Sequence, residues 1–157
     1  MSRVLWPLIR GARGLARALN WYGPYLGAGV RVEYISEDFR EARVSMVQRW
    51  YNTNYVGTHF GGSLYALTDP FYMLLLMRNL GPDHIVWDKA ASIDFVRPGR
   101  GRVMATFRLT DTMLEEVRTK TAHGEKYTPT WPVEVIDEEG LLVARVEKTL
   151  YIRRKRG

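Results

Sequence analysis

The chain has 157 residues, 46% hydrophobic and 25% charged, with 14 glycines, 7 prolines and no cysteine. That suffices for one domain with its own core, and it is too poor in glycine and proline for a low-complexity or collagenous protein. Without cysteine there is no disulfide framework, no thiolate ligation of zinc or iron–sulfur clusters, and no cysteine nucleophile. The net charge of +6 sits at the ends: Arg3, Arg10, Arg13 and Arg17 stand among residues 1–20 without an acid, and residues 153–156 read Arg-Arg-Lys-Arg. The body between them is slightly acidic. A nucleic-acid-binding domain spreads basic residues among aromatics over one surface, so no nucleic-acid partner is expected. Basic ends suit solubility or weak contact with acidic lipid surfaces.

Leu5, Leu8, Ile9, Ala12, Leu15, Ala16 and Leu19 recur at spacings of three and four, which predicts an amphipathic helix over residues 1–22 with an arginine face. Its arginines interrupt the apolar stretch too early for a secretory signal. Packing on the domain's own edge is the favoured role, although an acid-free, arginine-rich segment also fits a transit peptide or a surface-lying anchor. Gly23-Pro24 and Gly27-Ala28-Gly29 then turn the chain. Val30, Val32 and Tyr34 alternate with Arg31 and Glu33 as a half-buried strand does, and Ala42–Val47 returns after Ser36-Glu37-Asp38 to close a hairpin.

Residues 52–62 form a polar, glycine-bearing loop. Ser63 opens an apolar segment reaching Leu80 and closed by Gly81-Pro82, which predicts one long central helix. Pro70 frees the carbonyl of Ala66, so a kink is expected there. The uninterrupted apolar run Phe71–Met77 is too short to span a bilayer, and a cytoplasmic location is expected. From Trp87 onward the strand period returns. Ala91, Ile93 and Phe95 point one way, and Ser92 and Asp94 the other. Arg97-Pro98-Gly99-Arg100-Gly101 predicts a hairpin loop, followed by a strand burying Val103, Ala105, Phe107 and Leu109. Residues 111–121 predict a short helix or an irregular crossover. Val133–Ile136, the turn at residues 137–140 and Leu141–Ile152 predict a last hairpin. The expected fold is α+β, an antiparallel sheet wrapped around one apolar helix, with an extra N-terminal helix over 1–22, a single domain over 23–153 and a basic tail over 154–157. The open edges of such a sheet favour pairing with a second copy.

Residues 52–69, reading NTNYVGTHFGGSLYALTD, hold the densest set of candidate functional groups. A helix start offers unpaired N–H groups that can hold an oxyanion, and Gly61-Gly62 would let a ligand approach that backbone closely. A carboxylate two turns further on, Asp69, could activate water or attack a carbonyl. An acid within an apolar helix is costly unless paired or functional, and function is favoured. Asn54 suits either a turn or a substrate contact, and His59 either a loop cap or a catalytic imidazole.

Asn54-x-x-Gly57, Gly61-Gly62 and Leu67-Thr68-Asp69 resemble the helix-start motif of the hotdog-fold acyl-CoA thioesterases. In their phenylacetate-pathway type the pattern is close to N-x-x-G-x-x-H-G-G-x-x-x-x-L-A-D. GTHFGGSLYALTDPFYM and DKAASIDFVRPGRG are more similar still to a branch of that superfamily, the DUF4442 proteins. The likeness runs over about residues 30–153. The resemblance implies a hotdog fold, a dimer or dimer of dimers, and thioester sites at the subunit interface without metal. It further implies that Gly61, Gly62 and Ser63 hold the thioester oxygen, that Asp69 is the nucleophile or general base, and that Asn54 positions water or substrate. The pattern's histidine position falls on Phe60, with His59 one residue early. Coenzyme A would enter as part of the substrate.

Lys89, Arg97, Arg100 and Arg102 could meet its phosphates or form a solvated hairpin tip. Tyr65, Phe71, Tyr72, Met73 and Met77 could line an acyl tunnel or simply form core. Ser63 lacks the final glycine of a nucleophile elbow, and His59, His84 and His123 lack metal-ligand spacing. The expected activity is hydrolysis of an acyl thioester, with acyl-CoA as the substrate that the resemblance implies; the alternative is a non-catalytic acyl-CoA or lipid-binding protein on the same fold.

Overall fold

The structure is a computed structural model that describes residues 11–155. Helix α1 (Gly11–Asn20) buries Ala12, Leu15 and Leu19 on one face, as the spacing predicts; the expected helical residues 1–10 and tail residues 156–157 lie outside the described residues. Asn20 ties the end of α1 to the sheet, accepting from the Val32 N–H at 2.7 Å and donating to its carbonyl at 3.1 Å. The glycine-rich stretch that follows is not only a turn. It contains α2 (Gly23–Ala28), with proline in the first turn, where no N–H is needed. The packing of Tyr25 against Phe71, ring centroids 5.9 Å apart, holds this short helix in place.

Strands β1 (Val30–Ile35) and β2 (Glu41–Val47) form the expected antiparallel hairpin. The central helical segment comes in two pieces, α3 (Gly61–Ala66) and α4 (Phe71–Leu80). Pro70 has no N–H, and the Ala66 carbonyl instead accepts from the Asp69 N–H at 3.3 Å. The kink read from Pro70 is thus a short non-helical break that carries Asp69.

The remaining elements are β3 (His84–Phe95), β4 (Arg102–Arg108), α5 (Asp111–Lys120), β5 (Lys126–Tyr127), β6 (Thr130–Asp137) and β7 (Leu142–Arg154). The sheet is antiparallel in the order β1-β2-β4-β6-β7-β3, with β5 added to β7. One sequence expectation is corrected here: residues 97–101 do not close a hairpin, because β3 pairs with β7 from His84↔Arg154 to Phe95↔Ala144. The long β7 offers β3 a complete partner, and the two edges of β4 are taken by β2 and β6. Residues 96–101 are therefore a crossover running over the loop before α3.

The inner face of the sheet packs on α4. Phe107 lies 5.0 Å from Phe71 and 5.1 Å from Tyr72 between ring centroids, and the Tyr72 hydroxyl donates to the Pro132 carbonyl at 3.0 Å. Leu75, Leu76, Val146, Leu150 and Ile152 complete this buried layer. A sheet curled about a helical segment buries apolar residues on nearly every side of that segment, as its composition requires. This is the hotdog arrangement. At the far end of the sheet β3 has no second neighbour among the described residues, and Ala90, Ala91, Ser92, Asp94 and Phe95 are exposed.

Candidate functional site

The loop before α3 is organised by its own side chains. Asn52 is buried and bonds the Arg49 N–H and the carbonyls of Ala28 and Val47. Asn54 accepts from the N–H groups of Val56 and Thr58 and donates to Thr58 Oγ1 and the His59 carbonyl. That is an Asx-type turn, and it uses most of the bonding capacity of the Asn54 amide.

His59 is buried beneath the crossover. Its N–H donates to the Gly99 carbonyl at 3.0 Å, and Nε2 lies 3.0 Å from the Gly101 carbonyl. A carbonyl only accepts, so Nε2 carries the proton and Nδ1, buried without a partner, keeps its lone pair. Burial holds the imidazole pKa below its ordinary value, against the opposing bond to Gly101. His59 thus joins two loops as a neutral ring. Phe60 occupies the position where the thioesterase pattern has histidine, and its ring covers Gly62: a Cβ on Gly62 would stand 2.5 Å from it.

Asn54, His59, Gly61, Phe95, Arg97 and Gly99 line one groove of about 460 Å³. At its helix-start wall the Phe60 carbonyl accepts from Ser63 and Leu64, while the N–H groups of Gly61 and Gly62 carry no hydrogen bond among the described residues. Ser63 is buried. Of the expected phosphate contacts, Arg97 is ion-paired with Asp137 and Arg102 with Glu33. Arg100 is exposed and donates to the Gly57 carbonyl at 3.0 Å, and Lys89 is exposed at a bulge of β3.

Asp69 does not line that groove. It stands in the break between α3 and α4, its side chain 40% exposed, with Oδ1 2.6 Å from Lys148 Nζ. Its backbone carbonyl accepts from the Tyr25 hydroxyl. Lys148 lies on the inner face of β7 and is fully buried. The same ammonium is 3.3 Å from the Tyr65 hydroxyl, 5.0 Å from the Tyr65 ring centroid and 3.4 Å from Asp88 Oδ1 on β3.

Burial pushes the Asp88 carboxyl up to about 6; the Lys148 charge opposes this and the nearby Asp69 charge adds to it. Burial disfavours the Lys148 ammonium, but the hydrogen bond it donates to Asp69 and the charges of Asp88 and Asp69 outweigh it, and its pKa stands above the ordinary value. Two carboxylates thus share one buried cation, a group that must be paired to be tolerated. Sequence reasoning passed over Lys148 and Asp88. The available signal was the alternation Ala144, Val146, Lys148, Leu150, Ile152, which puts a lysine in line with core residues.

Among the described residues no group of three metal-ligating side chains converges, and no helix is long and apolar enough to cross a membrane. The domain family of unknown function DUF4442 matches residues 11–152. The chain belongs to the DUF4442 family. Curated proteins give no match. Among solved structures, this DUF4442 chain is similar to a Pseudomonas aeruginosa protein of unknown function named a probable thioesterase, with a TM-score of 0.78 at 21% identity over 91% of this chain and 96% of that one. A Haemophilus influenzae thioesterase gives a TM-score of 0.67 at 17% identity, covering 92% of each chain. The Escherichia coli PaaI protein, from the phenylacetic acid degradation operon, gives 0.61 at 21% identity over 90% of this chain and 91% of that one. At these identities the likeness establishes the fold.

Proposed function

We propose that this DUF4442 protein hydrolyses an acyl thioester, with acyl-coenzyme A as substrate and Asp69 as its catalytic carboxylate. The observation that carries the reading is a half-exposed carboxylate in the break of the central helix, held through one oxygen by a buried cation. The half-exposed carboxylate can thus meet a substrate or a water. Solved hotdog relatives named as thioesterases support the reaction class.

In this mechanism the N–H groups of Gly61 and Gly62 polarise the thioester carbonyl. Asp69 then follows one of two routes. It attacks the carbonyl carbon, the C–S bond breaks, coenzyme A leaves as the thiolate, and water opens the resulting anhydride. Alternatively it takes a proton from water as that water attacks, and the proton passes to the departing sulfur. Asp69 stands seven positions after Gly62, past the end of α3 and outside the groove that the helix start lines, so one carbonyl group does not meet both. Two copies therefore make the site: the helix start of one protomer faces the Asp69 of its partner in a homodimer or a dimer of dimers. The unpaired β3 edge and the exposed Phe60, Phe95 and Val96 support that pairing. Arg100 and Lys89 are the cations left for the coenzyme phosphates.

A second reading, a non-catalytic acyl-CoA or lipid binder, draws support from Asn54 and His59, whose polar groups serve the loop. A thiol-release panel of short, medium, long and aryl acyl-CoA substrates, with acyl-CoA binding followed by calorimetry, separates the two. Hydrolysis predicts release that falls about 100-fold or more in Asp69→Asn. Binding without release from any substrate overturns it in favour of the binder.

A further inference from the structure

We propose that Lys148 is a positioning residue for Asp69, held in place in turn by Asp88; the inference rests on Asp69 being the catalytic carboxylate. The inward position on β7 between Val146 and Leu150 would accept an apolar side chain at no electrostatic cost, whereas a buried ammonium needs partners for each of its donors. Lys148 has two hydrogen-bond acceptors and one ion-pair partner, and they come from three places in the fold. Asp69 lies in the helix break, Tyr65 on α3 and Asp88 on β3, at 2.6, 3.3 and 3.4 Å from Nζ. The direction of the ammonium is thereby fixed by the sheet and the helix together.

What this fixes is Asp69. The residue sits outside regular helix, so its own segment holds it weakly. The Tyr25 hydroxyl pins its carbonyl and Lys148 pins Oδ1, which fixes how the half-exposed carboxylate is presented for attack or for orienting water. Such preorganisation is worth large factors in rate, because a misplacement of about 1 Å can cost about 100-fold.

Asp88 sets how strongly the cation grips. The charged and titratable groups that act on Lys148 are Asp69, Asp88 and Tyr65, and Tyr25 faces the two carboxylates. When Asp88 is ionised, the two carboxylates share the ammonium. When Asp88 takes a proton, at a pKa of about 6, the ammonium belongs to Asp69 alone and draws electron density from it. Turnover therefore falls on the acid side of that value.

The test is steady-state thiol release on the full chain for wild type, Asp69→Asn, Lys148→Met and Asp88→Asn across pH 5–8, with folding checked by circular dichroism. We expect Lys148→Met to lower kcat by about 100-fold with KM within about twofold, and Asp88→Asn to lose the acid limb near pH 6. A Lys148→Met enzyme that keeps its kcat while Asp69→Asn has lost it overturns the positioning role and leaves the carboxylate assignment standing. Unchanged turnover in Asp69→Asn overturns the assignment itself. Should Lys148→Met fail to fold because Asp88 is stranded, the neutral pair Lys148→Met/Asp88→Asn removes that charge. The same loss of kcat is expected from the pair, and retained kcat overturns the role. An Asp88→Asn profile that keeps its acid limb overturns the part assigned to Asp88.

Discussion

Asp88 gives up more than any other described carboxyl group by being where it is. Its pKa rises from 3.8 to about 6, chiefly through burial. Over that interval the folded chain keeps a proton that the unfolded chain has released. The stabilisation from this proton is complete below about pH 4 and is lost as pH rises through about 6. Asp88→Asn removes the effect, so thermal melts should show the variant gaining on wild type progressively between pH 4 and 7. A difference that stays constant with pH would contradict the burial of a titrating Asp88. At this scale the sequence was half legible. Asp69 could be singled out because an acid amid Leu67 and Phe71–Leu76 is anomalous within a few residues of chain. Its partner was not, since Lys148 comes 79 residues later, and only the strand register brings the two together.

Helices and strands were easier to read than their pairing. Alternation and turn residues located β1, β2, β4, β6 and β7, while residues 111–121, read as a short helix or an irregular crossover, hold helix α5. Turn residues at Pro98, Gly99 and Gly101 marked the break between β3 and β4 but carried no information about which strands pair. The pairing of β3 with β7 is non-local and follows from the length of β7. Helix α2 was read as a turn because what stabilises it is tertiary: Tyr25 on Phe71, and the Tyr25 hydroxyl on the Asp69 carbonyl. The same ring cluster holds α4 to the sheet. Phe107 is fully buried between Phe71 and Tyr72, so Phe107→Ala should cost about 3–5 kcal/mol, measured by urea unfolding. A cost under about 1 kcal/mol would mean that these rings do not pack as described.

For the whole molecule, family membership and the hotdog fold agree, and the open question is how many copies make a site. β3 leaves a long edge unpaired, and Phe95, 57% exposed at its end, borders the groove by the helix start. Phe95→Glu places a charge on that surface, where it would have to be desolvated in a dimer. Light scattering should show wild type at twice the chain mass or more and the variant shifted to monomer, with turnover lost alongside. A monomeric wild type that still turns over would contradict the two-copy site. The most direct test of the central claim remains thiol release from acyl-CoA by wild type beside Asp69→Asn. The chain contains no cysteine, so every thiol detected comes from substrate. The account predicts release by wild type and a loss of about 100-fold or more in a variant of unchanged fold; equal rates in the two proteins would contradict it.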